Sequence, residues 1–224
     1  MLNASNLCSC MEVELRGNIL PFWMTYAVDR ENDGFYGAVT NDLRVLNDMP
    51  RSAVLCARLL WTYSAACRRY RDDAYLATAR HAYDYLRGTF WDDEHGGVYW
   101  TADRQGRPVN DRKHTYAQAF AIYGLSEYHR ATGEAESLRL AQELFRLVEA
   151  HTHDPENGGN IECCSRSWGK LADMRLSEKE PDCRKSMNTL LHLVEAYTNL
   201  LRAWDDDELR ARQLGLVELF ICLA

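Results

Sequence analysis

No part of this chain stays apolar for long. The run VLCARLLW (54–61) is broken by Arg58, and nothing approaches the roughly 18–20 apolar residues of a membrane span. No membrane partner is expected. Basic blocks are missing too: 26 lysines and arginines stand against 33 acidic residues, for a net charge of −7. That balance argues against a nucleic-acid surface. The N-terminal residues have no basic start followed by an apolar stretch, so no secretion signal is expected. Eight cysteines are present, but none form a Cys-x-x-Cys pair or a repeating frame. Without an export signal they read as reduced thiols of a cytoplasmic protein, with no metal site implied. Cys56 and Cys67 fall on an apolar helix face as small core residues. Cys163 and Cys164 have no second ligand pair beside them.

What is present is a repeat. DRENDGFYG (29–37), DDEHGGVYW (92–100) and DPENGGNIE (154–162) each open with aspartate and pass through polar residues to glycine. The opening residues Asp29, Asp92 and Asp154 lie 63 and 62 residues apart, which is a structural period. Between these turns the rhythm is helical. Residues 50–71 place Val54, Leu55, Leu59, Trp61 and Ala65 near a 3.6-residue period, and 73–90 do the same with Tyr75, Ala79, Ala82, Tyr85 and Leu86. Residues 97–109 read as a short hairpin around Gln105-Gly106. Helices are expected again over 113–131, 134–151, 184–203 and 205–222.

Hydrophobic residues at 46% of a 224-residue chain support a single globular domain, residues 1–224. Helix pairs at this period form either an extended solenoid or a closed α/α toroid. The aromatics of the turns, GFYG and GVYW, favour a ring whose mouth they line. A ring of six pairs at this period needs roughly 370 residues. The chain is therefore expected to form about half a ring, three to four helix pairs with short β-hairpin turns, in an all-α class. LGLVELFICLA (214–224) ends inside an amphipathic helix without a cap, which reads as a C-terminal truncation; a final helix docked on the core is the alternative. This apolar helix is also a surface for self-association.

Five stretches carry a family resemblance: ILPFW (19–23), ARLLWTYSAA (57–66), GGVYW (96–100), YAQAFAIYGLSEY (116–128) and KSMNTLLHLVEAYTNL (185–200). They resemble the cellobiose 2-epimerases of the N-acylglucosamine 2-epimerase superfamily, from about residue 12 to 203. The resemblance implies an (α/α)6 barrel and cofactor-independent inversion at carbon 2 of a reducing sugar. That chemistry needs ring opening, removal of the proton α to the C1 aldehyde, a cis-enediolate, and reprotonation on the other face. Histidines suit the proton transfers, and Arg, Tyr or Asn donors suit the oxyanion.

By the same resemblance His192 is the catalytic candidate, opening or holding the sugar. Asn188, four residues earlier on the same helix, would bind substrate beside it. Arg58 would be a buried cation meeting the sugar's O1/O2 region, and Tyr116 a hydrogen-bonding partner. The bland readings are a core histidine, a snorkelling arginine and a packing tyrosine. Trp23, Trp61, Trp100 and Trp168 read as core or wall residues, His95 and His114 as exposed. His151 and His153 resemble a metal clip but sit at a helix end. Departures are also visible: Leu190 stands where the family has a second histidine, and Cys56 where it has asparagine. The family's principal acid/base histidines belong to its second half, one in Gly-His-x-x-Glu, a motif missing here. The expectation is thus an impaired sugar epimerase. The alternatives are a sugar-binding or oligomerising remnant and an N-acylglucosamine- or mannose-type epimerase or isomerase. A glycoside hydrolase ranks last, because the acids cluster in the runs DDEH and DDDE.

Overall fold

The structure is a computed structural model that describes residues 4–175 and 182–223; Met1–Asn3 and Ala224, at the ends of the two terminal stretches read above, lie outside them. Helices α1 (Ala4–Glu14) and α2 (Leu20–Tyr26) are joined by a π turn, Leu15–Ile19. They are followed by α3 (Ala53–Tyr70), α4 (Asp73–Tyr85), α5 (Thr115–Thr132), α6 (Ala135–Thr152), α7 (Met187–Leu201) and α8 (Asp207–Leu223). The α3, α5 and α7 helices pack side by side as an inner layer, and α4, α6 and α8 each back the preceding inner helix. The result is half of an α/α ring: three pairs, preceded in the chain by α1 and α2.

Each hairpin of helices is punctuated as its sequence demands. Ser52, Asp72 and Ser186 cap the N-termini of α3, α4 and α7 through their side-chain oxygens. Arg71 and Gly133 end α3 and α5 in the left-handed conformation. The N-terminal helix is not evident from periodicity, because Pro21 interrupts it. The wide π turn just before Pro21 accommodates a residue that lacks an N–H and crowds the preceding turn.

On α3 the fully buried residues are Ala53, Cys56, Ala57, Leu59, Leu60, Tyr63, Ser64 and Ala66, whereas Val54, Leu55, Trp61 and Ala65 are only half-buried. An inner helix has two apolar faces, one toward the core and one toward the hollow of the ring, so one stripe does not describe it. α5, flanked on both sides, is buried almost all round. Its Gly124 allows close approach: a Cβ there would stand 2.7 Å from the Ala57 carbonyl oxygen.

The three acidic turns share one construction. The side-chain Oδ1 of Asp29, Asp92 and Asp154 accepts from the backbone N–H groups two and three residues on. The backbone N–H of each donates to the carbonyl of Gly34, Gly97 or Gly159, all at positive φ. Each aspartate also meets a cation: Arg51 at 2.7 Å, Lys113 at 2.9 Å and Lys185 at 2.7 Å. Every one of these cations stands two residues before an inner helix begins. The turn that ends one outer helix therefore clamps the start of the next inner helix. Its aromatics, expected to line a mouth, divide: Phe35 and Tyr99 are buried, because the clamp pulls the turn onto the core, Trp100 is half-buried, and Tyr36 lines a cavity.

Strands are short. β1 (Arg51–Ser52), β2 (Thr101–Ala102) and β3 (Pro108–Asn110) form an antiparallel sheet in the order β1-β2-β3, and the β2–β3 turn contains the expected Gly106. β4 (Lys113–His114) pairs with β5 (Cys163–Cys164).

Candidate active site

Arg58, Tyr116 and His192 come from three different inner helices and meet at one place. The Arg58 Nη2 donates to the Tyr116 hydroxyl at 3.3 Å, and its guanidinium lies over the Phe120 ring, 4.3 Å from the centroid. The His192 ring packs edge-on against Tyr116 at 4.8 Å and tilted against Phe120 at 4.5 Å. Beside them opens a cavity of about 510 Å³, lined by Arg58, Phe120 and His192 together with Trp23, Trp61 and Glu195. A neighbouring cavity of about 420 Å³ shares Trp23 and Leu55 with it and adds Phe22, Tyr26 and Tyr36.

The clamp explains the convergence. Arg58, Phe120 and His192 each lie seven residues after the clamp cation of their repeat, so the period places them at equivalent levels of α3, α5 and α7. The start of α7 is fixed further by Glu162, whose carboxylate accepts from the Ser186 N–H at 2.6 Å and the Thr189 hydroxyl at 2.7 Å.

Three residues differ from their sequence readings. Arg58 is not buried but exposed, projecting into the open hollow, so its charge needs no anionic partner to offset burial. His114 is not exposed but 1% accessible, in β4 at the start of α5, with its ring 4.5 Å from Trp100 and Nδ1 unpartnered. Burial, and next the charge of Arg112, pulls its pKa down to about 4 and keeps the ring neutral. His95 is half-buried.

Asn188 is exposed one turn before His192 and has no hydrogen-bond partner among the described residues. The two departures point inward: Leu190 is buried against Gly159, and the Cys56 thiol donates to the Ala82 carbonyl at 3.3 Å. His151 and His153 part company, the first stacked on Trp168 and the second 2.8 Å from Arg212. Cys163 is buried, its pKa pushed up to about 12 by desolvation.

Sequence reasoning missed Phe120, Glu195 and the lining roles of Trp23 and Trp61, which stacks on Tyr123 at 4.9 Å. The signal for Phe120 was available in its offset from Lys113. Glu195 follows His192 by three residues, a spacing that puts both on one helix face.

An N-acylglucosamine 2-epimerase (GlcNAc 2-epimerase) family model matches residues 34–221. The chain is 47% identical over 210 residues to a cellobiose 2-epimerase from Bacteroides fragilis, covering 94% of this chain and 54% of that one. It is 41% identical over 205 residues to a cellobiose 2-epimerase from Ruminococcus albus, covering 90% and 52%. The solved structure of cellobiose 2-epimerase from Bacillus thermoamylovorans matches with a TM-score of 0.91 at 40% identity, over 96% of this chain and 55% of that one. The chain spans about half the length of the curated relatives it matches. The fold is accordingly that of the (α/α)6 toroid, with about half of the ring present.

Proposed function

The chain belongs to the N-acylglucosamine 2-epimerase family, and on that premise we propose that it holds and opens the sugar in a cofactor-independent carbohydrate 2-epimerase. The substrate is the reducing-end glucose unit of a cellobiose-like disaccharide. The observation that carries the reading is that Arg58 and His192 line one cavity and that both touch Tyr116.

Inversion at C2 is redox-neutral, so proton transfer and oxyanion stabilisation account for it. The cyclic sugar first loses its O1–H proton as C1=O forms and the C1–O5 bond breaks, and O5 takes up a proton. His192 is suited to that exchange. Arg58, with a planar cationic fork and no carboxylate partner among the described residues, is suited to the O1/O2 oxyanion of the enediolate. Tyr116 orients both, and Asn188, exposed one turn before His192, is suited to bind a hydroxyl. The C2 proton itself needs an acid/base pair that the family resemblance assigns to later histidines. This chain alone is therefore expected to be strongly impaired in epimerisation, by several orders of magnitude.

The test is cellobiose in D2O with the purified chain, followed by NMR. The expected result is faster α/β anomer interconversion and broadened sugar lines, with no deuterium entering at C2. Deuterium at C2, with glucosyl-mannose appearing, would show a working base within these residues. No effect on either signal would remove the sugar reading.

A second reading is a sugar-binding or oligomerising remnant of the same fold. It is favoured by Leu214 and Ile221, which stand 52% and 71% exposed on α8 as a surface for self-association. N-acylglucosamine or mannose is the alternative substrate class. The names of the more similar relatives support cellobiose. A cytoplasmic location is part of the proposal, supported by the free state of the cysteines.

A further inference from the structure

We propose that Glu195 is a positioning residue: it sets the tautomer of His192 so that Nε2 faces the sugar as a hydrogen-bond acceptor. The inference rests on the sugar-opening reading of this cavity and adds a residue to it.

His192 Nδ1 and Glu195 Oε2 are 2.7 Å apart. A carboxylate can only accept, so in the neutral ring Nδ1 carries the proton and Nε2, across the ring, is left with its lone pair. The ring cannot easily turn away from this arrangement, because Tyr116 and Phe120 pack on it at 4.8 and 4.5 Å. Glu195 lines the same cavity as His192 and lies three residues further along α7. The charged and titratable groups around the pair are Arg58, Tyr116 and Tyr123. Arg58 lines the cavity as well, yet the carboxylate is directed at the histidine. An ordinary surface ion pair of this spacing would be an alternative use for Glu195, whose side chain is 45% exposed. The His192 side chain is only 15% exposed, and a ring so enclosed keeps one orientation.

The consequence is a polarity for ring opening. Nε2 takes the O1–H proton as the C1=O bond forms; the C1–O5 electron pair goes to O5, which receives that proton back from Nε2. The imidazole ends as it began, and nothing is oxidised. Free histidine in water favours the proton on Nε2, so an imidazole without Glu195 would present a donor where an acceptor is needed.

The test uses the full chain with 15N-labelled histidine, above about pH 8, where an ordinary histidine is neutral. Long-range 1H–15N spectra give the tautomer of His192, whose signal is assigned by its loss in His192→Gln. The expected wild-type state has the proton on Nδ1. Glu195→Gln keeps it there, because the amide carbonyl also accepts, whereas Glu195→Ala moves it to Nε2. In parallel, the added rate of cellobiose anomer exchange falls about tenfold or more in Glu195→Ala. A wild-type proton on Nε2, or a Glu195→Ala spectrum like the wild type, overturns the proposal. A tautomer that follows Glu195 in a chain with no effect on cellobiose would uphold the pair and overturn its use on a sugar.

Discussion

Buried charge decides what single residues do here. Asp29 and Arg51 are each about fully enclosed, at 0% and 1% side-chain exposure, and Arg51 also donates to the Asn47 and Met49 carbonyls. Removing one partner of such a pair strands the other charge, which costs about 3–5 kcal/mol. Arg51→Met is expected to lose that much in urea unfolding, and Asn at position 29 in the same background should recover part of it. A loss below about 1 kcal/mol would show that the clamp is ornamental. Burial raises the pKa of Asp29 and Asp92, yet hydrogen bonds outweigh it. These come from the Asn32 backbone and Arg51 for Asp29, and from Arg166 and Lys113 for Asp92. For Asp154 the bond from Lys185 leads. All three pKa values are lowered, so their stabilisation is complete above the ordinary aspartate range of about pH 4 and fades as pH falls below it. The wild type should therefore lose stability steeply below about pH 4, and Arg51→Met more gently, since its aspartate has lost the cation that depressed it.

Among the elements, α5 is the one on which the site depends, because Tyr116 and Phe120 ride on it between α3 and α7. Gly124 sets the α3–α5 spacing. Alanine is favoured over glycine in a helix by about 1 kcal/mol, but its Cβ would stand 2.7 Å from backbone oxygen on α3, which cannot move without the helix. Gly124→Ala should thus destabilise by about 1–3 kcal/mol, separate Arg58 from Tyr116 and weaken sugar binding. A more stable variant with unchanged binding would show that the two helices have room to spare. Helix positions were legible because their 3.6-residue rhythm and caps are local properties. The N-terminal helix was not, because the π turn that reconciles it with Pro21 has no local pattern. Arg58 read as buried because its neighbours are apolar, although they serve the hollow as well as the core.

Across the whole molecule, the half ring leaves apolar residues at both of its edges: Leu7, Met11 and Val13 on α1, and Leu214 and Ile221 on α8. Such patches favour association with another surface. The chain is expected to show concentration-dependent association in sedimentation velocity, and the double change Leu214→Lys and Ile221→Lys should suppress it without loss of helicity. Unchanged sedimentation across the concentration range would remove α8 as an interface. The helices also position the cavity collectively: three equivalent residues, Arg58, Phe120 and His192, come together only because three clamps hold three inner helices at one level.

By itself the sequence determined the period, the helix pairs and the hairpin at Gly106, and through its family resemblance it pointed to Arg58, Tyr116 and His192 as candidates. These follow from local propensity and from spacing, which a chain carries without folding. Only the tertiary structure decided that the turn aspartates are clamps, that His114 is buried and neutral, and that Cys56 and Leu190 point inward. Each of these depends on which elements are neighbours, and burial and ion pairing across 20 residues or more of chain are set by packing, not by the residues on either side.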